Sequence, residues 1–288
     1  MIKYSEQLKL VIEYCGIENI NDVKPVFGGD INQTFRLTAD EEYFLKINDA
    51  ARYPKMFEKE ANGLNTLRGI ANCSVPEVIK YGEVEATQYL VLKWVERGNP
   101  KESFWEEFGT ALAMLHQRSQ PDFGFVEDNY IGSLQQNNEH KKSWAEFYGG
   151  NRIFPLAKRL VESHSINKSV LKTSEKFCNE LKNIFPDENP SLLHGDLWSG
   201  NFMITEEGSA AIFDPAVYYG HREMDIGMTK LFSGFDQRFY EAYNEAYRLE
   251  KNWRDRIELT QLYPLLVHAI LFGGGYIRQV ESIINRFS

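Results

Sequence analysis

The stretch Leu193-His194-Gly195-Asp196-Leu197-Trp198-Ser199-Gly200-Asn201, followed by Phe213-Asp214-Pro215, constrains this chain more than any other. It sets an aspartate, an asparagine five residues later, and a second aspartate thirteen residues beyond that. Three oxygen-bearing side chains in this order act together only if the fold brings them to one point. One carboxylate can then accept the proton of an attacking hydroxyl, while an amide oxygen and the other carboxylate hold Mg²⁺ on a nucleotide. The spacing therefore predicts phosphoryl transfer, with Asp196 as the base and Asn201 and Asp214 as metal ligands. Alone, each of the three would be an ordinary turn residue.

Two further groups complete that chemistry. Lys46 lies inside the apolar run Phe44-Leu45-Lys46-Ile47, where alternation puts Phe44 and Lys46 on one face of a strand. A lysine there needs a partner, because an unpaired charge is costly to bury; contact with the α- and β-phosphates supplies a reason. On a helix over about 54–68, Phe57, Leu64 and Leu67 form one stripe, and Glu60 falls on the same stripe. The pattern predicts a Lys46–Glu60 ion pair. Gly28-Gly29-Asp30-Ile31-Asn32, between the first two strands, suits close approach of backbone N–H groups to phosphate. The run Leu92-Lys93-Trp94-Val95 falls where a final strand meets a linker, so main-chain groups at Lys93 and Val95 are candidates to hydrogen-bond adenine. His194 reads as a brace of its loop, and Asp225 as a second brace from a neighbouring helix. His116 and His164 show no partner.

The rest of the chain is organised in two parts. Val23–Phe27, Thr34–Leu37, Tyr43–Ile47, Glu77–Tyr81 and Tyr89–Trp94 have strand character, with the 54–68 helix interrupting them. After Glu96 helical spacing dominates, over 103–117, 144–148, 152–163, 168–184, 235–248 and 254–272. The apolar runs Ser191–Leu193, Phe202–Ile204 and Ala210–Phe213 read as short strands carrying the motif loops. The division expected is a β-rich lobe over residues 1–95 and a mostly helical lobe over 96–288, an α+β fold with a cleft between lobes.

Net charge is −9, which argues against nucleic acid and against an anionic membrane surface. No segment reaches the ~20 apolar residues of a membrane span. MIKYSEQLKLVIEYCG reads as an amphipathic helix rather than a signal peptide. Cys15, Cys73 and Cys178 are odd in number and form no CxxC pair, so reduced thiols in the cytoplasm are expected.

These residues together resemble the fructosamine-kinase family, relatives of the aminoglycoside and choline phosphotransferases within the protein-kinase-like superfamily. The Asp-to-Asn separation is that of a protein-kinase catalytic loop. Trp198 and Gly200 in HGDLWSGN resemble this family in particular, as does the run from Phe213 to Glu223. The segments 28–32, 44–46 and 56–61 fall where the family pattern places them; Lys93-Trp94 is more basic than its usual acidic hinge, and Ser199 stands where many members have glycine. The resemblance implies a two-lobed kinase fold and an ATP- and Mg²⁺-dependent enzyme. Its substrates would be ketosamines, small or protein-bound, phosphorylated on the sugar 3-hydroxyl in a deglycation repair. Trp198, Tyr218, Tyr219, His221 and Glu223 would line the acceptor side. Alternatives are a kinase for another small alcohol, of aminoglycoside, choline or methylthioribose type, or a catalytically silent nucleotide-binding module. A typical protein kinase is disfavoured, since no APE motif follows Asp214.

Overall fold

A five-stranded antiparallel sheet dominates the first third of the chain in the computed structural model, which describes residues 5–27, 31–232 and 234–287. The chain opens with α1 (Glu6–Tyr14), capped by Ser5, whose hydroxyl accepts from the Leu8 amide at 3.2 Å. Strands β1 (Asp22–Val26), β2 (Gln33–Thr38) and β3 (Glu42–Asp49) form a meander. Helix α2 (Met56–Leu67) and the two-residue strand β4 (Cys73–Ser74) precede β5 (Val78–Val84) and β6 (Thr87–Lys93). The order across the sheet is β1-β2-β3-β6-β5.

Alternation divides β3 and β6 between two small cores. Leu45, Ile47, Tyr89 and Val91 pack with Leu8 and Val11 of α1. Leu90 and Leu92 pack with Phe57 and Leu64 of α2 on the other face. The central strands are therefore covered on both sides, and Lys46 opposite Leu90 is carried into the α2 face.

Beyond the linker come α3 (Phe104–His116), the hairpin β7 (Asn129–Ile131) and β8 (Leu134–Gln136), and α4 (Trp144–Phe147). A π-helical stretch over Tyr148–Ile153 leads into α5 (Phe154–Glu162) and α6 (Ser169–Ile184). Strands β9 (Ser191–Leu193), β10 (Phe202–Ile204), β11 (Ala210–Ile212) and β12 (Tyr218–Gly220) carry the motif loops, and α7 (Glu223–Met228), α8 (Gln237–Ala246), α9 (Trp253–Phe272) and α10 (Gly275–Ile284) follow. The segment β4, from the first 95 residues, pairs in parallel with β11, so the two parts are joined by strand pairing as well as by the linker. The linker is itself clipped to the antiparallel β10–β11 hairpin: Gly98 N donates to Ile204 O and Glu206 N to Glu96 O, both at 3.0 Å.

A buried arginine organises the centre of the helical part. Arg152 is fully buried, with its guanidinium over the rings of Phe147, Tyr218 and Tyr263 at 4.5, 4.6 and 5.2 Å. It donates to the Asn138 side chain at 2.6 Å and to the Asn137 carbonyl, which fixes the strand leaving the β7–β8 hairpin. No helix among the described residues is long and apolar enough to cross a membrane.

Helices α3 and α8 approach at Gly109, where an added Cβ would stand 2.1 Å from the Phe239 carbonyl oxygen. Alanine is the better helix former by ~1 kcal/mol, yet the clash is with backbone that cannot turn aside. Gly109→Ala is expected to destabilise the protein by about 1–3 kcal/mol, read as a lowered denaturation midpoint; an unchanged or raised midpoint would contradict this packing.

Candidate active site

Strand β3 delivers Lys46 to the base of a cleft, and two carboxylates meet it there. Its ammonium lies 2.7 Å from Glu60 Oε1 on α2 and is hydrogen-bonded to Asp214 Oδ1. Lys46 is 4 % exposed. Burial works against its charge, but Asp214 and Glu60 more than offset this and hold the ammonium above the usual lysine range. Burial, helped by Asp214, raises the Glu60 carboxyl, and Lys46 pulls it back down. Asp214 sits at φ 55, in the left-handed region that costs energy for a residue with a side chain. That turn ends β11 and points one carboxylate oxygen at Lys46, leaving the other without a hydrogen-bond partner among the described residues.

The loop carrying Asp196 is held by three buried groups. Asp225 on α7 accepts the His194 amide at 2.8 Å and the Gly195 amide at 2.9 Å, one on each oxygen. His116 on α3 lies 3.2 Å from the same carboxylate and 2.8 Å from the Tyr243 hydroxyl, so the histidine expected to have no partner has two. Burial would raise the Asp225 carboxyl; the His116 hydrogen bond and the nearby imidazoles hold it below its usual range instead. His194 is buried and its pKa is lowered by desolvation. Its Nε2 donates to the Phe213 carbonyl at 3.1 Å, and its Nδ1 accepts the Asp196 amide at 3.3 Å. One neutral imidazole thus links the Asp196 loop to the Asp214 segment.

Asn201 turns its amide nitrogen to Asp196, donating to the carboxylate and to the carbonyl, both at 2.9 Å. Its side-chain oxygen is left free among the described residues. Desolvation raises Asp196 well above the usual carboxylate range, Asn201 opposes this, and the Asp214 and Asp225 charges reinforce it. A carboxyl in that condition is a better proton acceptor than an ordinary surface aspartate.

Lys46, Glu60, Asp196, Trp198, Asn201 and Asp214 line one cavity of about 440 Å³. Ile31 and Asn32 also line it; Gly28, Gly29 and Asp30 lie outside the described residues. The other expected acceptor residues lie elsewhere. Tyr218 is in the core against Arg152 and Phe147, because β12 pairs with buried β9. Tyr219 is half-buried on the same strand and packs into the α3 core. His221 is buried between Trp144 and Phe185, and Glu223 is buried in an ion pair with Arg256 at 2.5 Å. None of these four lines the cavity, whose wall comes from other segments.

Of the Lys93 main-chain groups expected to contact adenine, the N–H is already engaged. It donates to the Glu77 carbonyl at 2.8 Å, and the Lys93 ammonium reaches Glu41 at 3.3 Å on the surface. Val95 is half-buried in the linker, where a second cavity of about 240 Å³ opens between Arg97–Gly98 and Phe202–Ile204.

Sequence reasoning missed a set of cavity residues: Arg52, Lys59, Tyr130, Ser133, His268 and Phe272. His268 is half-buried in α9, with Nδ1 2.7 Å from the Pro264 carbonyl and its pKa lowered by desolvation. Trp198 reaches it through Phe232, whose ring lies 5.7 Å from Trp198 and 4.9 Å from His268. No local motif marks these positions.

The fold and this arrangement of groups are those of a kinase-like phosphotransferase. The fructosamine kinase family profile matches residues 4–288. A protein of Enterococcus faecium named a probable ketoamine kinase is 39% identical over 271 residues, covering 92% of this chain and 95% of its own length. The chloroplastic protein-ribulosamine 3-kinase of Arabidopsis thaliana is 33% identical, over 93% of this chain and 83% of its own. A solved structure of a fructosamine-3-kinase candidate from Thermobifida fusca superposes with a TM-score of 0.86 at 32% identity, covering 98% of both chains. The chain belongs to the fructosamine kinase family.

Asp225→Asn would keep the shape but set an amide N–H against a backbone N–H. It is expected to cost about 2–3 kcal/mol in stability, as for a buried hydrogen bond to a charged group, and to lower kcat at least tenfold by loosening the Asp196 loop. Because the native Asp225 pKa is depressed, its stabilisation is complete above the unfolded carboxylate range and disappears as pH falls through the native value. Denaturant melts from pH 7 down should show that acid-side loss in the native chain and a flatter profile in the variant.

Proposed function

We propose that the protein is an ATP- and Mg²⁺-dependent kinase that phosphorylates the sugar 3-hydroxyl of ketosamines, in the service of deglycation. The observation that carries this is the convergence of Asp196, Asn201, Asp214 and the Lys46–Glu60 pair on a single cavity that also holds Trp198. The ketoamine and ribulosamine kinases among its relatives support the acceptor class. Short-chain adducts such as ribulosamine and erythrulosamine, together with fructosamine, are the acceptors to be expected.

The donor set fits Mg²⁺. The free side-chain oxygen of Asn201 and the unpartnered oxygen of Asp214 are both hard ligands, and Mg²⁺ keeps its remaining positions for waters and phosphate oxygens. No group of three His, Cys, Asp or Glu side chains able to hold a metal occurs among the described residues, and Mg²⁺ on a nucleotide needs only two protein ligands. When bound there, the ion would neutralise charge on the transferring phosphate.

In this reading Lys46, oriented by Glu60, contacts the nucleotide phosphates beneath residues 28–32, and the Val95 main chain takes the adenine. Asp196 accepts the proton of the sugar hydroxyl as its oxygen bonds the γ-phosphorus and the bond to the departing ADP oxygen breaks. Trp198 packs against the sugar's C–H face. Residues 1–95 form the nucleotide lobe and 96–288 the catalytic and acceptor lobe. Three free thiols, Cys15, Cys73 and Cys178, accord with a reducing cytoplasm.

A panel with Mg·ATP against ribulosamine, erythrulosamine, fructosamine and aminoglycosides tests the reading, with the product position read by NMR. Phosphate on the ketosamine 3-oxygen is expected; preference for an aminoglycoside would refute the acceptor. Asp196→Asn should lower kcat by on the order of 10²–10⁴, and full activity in that variant would remove Asp196 from the role of base. Chelating divalent cations should abolish turnover in the native enzyme.

A further inference from the structure

Arg52 and Lys59 stand out on the wall of the main cavity. Lys46, the third cation there, is engaged by Glu60 and Asp214. Neither Arg52 nor Lys59 has a carboxylate within ion-pair distance among the described residues, although the chain carries 41 acidic against 32 basic side chains. Arg52 is exposed in the turn after β3; its backbone amide donates to Asp49 at 2.7 Å, and its guanidinium lies 5.1 Å from the Tyr53 ring centroid. None of its five side-chain N–H groups has a hydrogen-bond acceptor among the described residues. Lys59 is half-buried on α2, gives one hydrogen bond to the Asp128 carbonyl, and lies 5.9 Å from the Tyr130 ring. Two of its three N–H groups remain. The Ser133 hydroxyl, at the tip of the β7–β8 hairpin on the same cavity, is also without a partner among the described residues. Unpaired cations beside an unsatisfied hydroxyl suit anionic oxygens, for which Arg offers a two-pronged contact.

We propose that Arg52 and Lys59, with Ser133, form an anion-recognising wall of the acceptor site, so that the preferred ketosamine carries a phosphate or a carboxylate. This rests on the kinase reading above. The nucleotide phosphates already have Lys46 and the metal ligands. A second anion brought beside them meets like-charge repulsion, and two cations without carboxylate partners are what offset it. The anion can come from either end of the acceptor: a phosphate on the last carbon of a pentulose, or the carboxylate of the amino acid to which the sugar is joined.

The test uses the full chain and matched acceptors: the ribulose adduct of 6-aminocaproate, the same adduct of 6-aminocaproamide, and the amide adduct bearing a 5-phosphate. Binding is measured by calorimetry without nucleotide, and kcat/KM with saturating Mg·ATP. The acid or the 5-phosphate should exceed the neutral amide by about tenfold or more in both measurements, and whichever does so identifies the source of the anion. Arg52→Glu, a surface change that leaves packing intact, should erase or invert that preference, and Lys59→Gln should reduce it severalfold. Equal handling of all three acceptors by the native enzyme overturns the proposal. So does a preference untouched by Arg52→Glu, or an effect of Arg52→Glu confined to the KM for Mg·ATP. Should no ketosamine be turned over while the anionic ones still bind more tightly, the wall stands and the kinase reading falls.

Discussion

A buried ammonium between two carboxylates is the interaction on which the rest of this structure depends. Lys46 comes from the central sheet, Glu60 from the helix packed on it, and Asp214 from the loop after β11. Each contributes one charge: Lys46 and Glu60 are largely buried, and Asp214 is 46 % exposed at the cleft. Removing Lys46 would leave the Glu60 carboxylate buried without its counter-charge, a large penalty compared with the loss of a surface ion pair. The mutual placement of sheet, helix and catalytic segment is therefore enforced electrostatically, and the same contacts pre-position a cation for phosphate.

The catalytic loop is kept in shape by a different device. Asp225 accepts two consecutive loop amides, and His194 ties the loop to the Asp214 segment through opposite edges of one ring. These are backbone contacts, so they hold the path of the chain whatever the reactive side chains do. Asn201 adds a brace of its own through its amide nitrogen and keeps its side-chain oxygen available at the cavity.

The central chemistry was readable from the sequence because it depends on local signals. A lysine inside an apolar strand, a glutamate on the apolar stripe of a helix and a fixed Asp–Asn–Asp spacing are each anomalies against a packing background, and all meet in space. The acceptor wall was not readable in the same way. Tyr218, His221 and Glu223 follow the motif directly, yet strand pairing between β12 and β9 and the Arg256 ion pair draw them into the core. Adjacency along the chain does not decide which face of a short strand meets the cleft. Arg52, Tyr130, Ser133 and His268 reach the cavity from three separate segments, so only the tertiary fold collects them. Among the elements, the long periodic helices and the main strands were anticipated. The two-residue β4, the β7–β8 hairpin and the helix beginning at Gly275 were not. Short elements owe their existence to neighbours, and Gly273 and Gly274 at φ 64 and 62 read as a chain break rather than the entrance to a helix.

The pairing of Cys73–Ser74 with Ala210–Ala211 bears on how the cleft can open. The linker near residue 96 is one seam between the sheet and the helical body, and this parallel pair is another. A third fastening runs from α2 and the turn before it, where Asn62 donates to Glu127 at 2.8 Å and the Tyr130 hydroxyl to the Pro54 carbonyl at 3.0 Å. The cleft can widen only where none of these fastenings crosses it, and the strand preceding Asp214, paired with β10 on one side and β4 on the other, takes its position from both parts of the molecule.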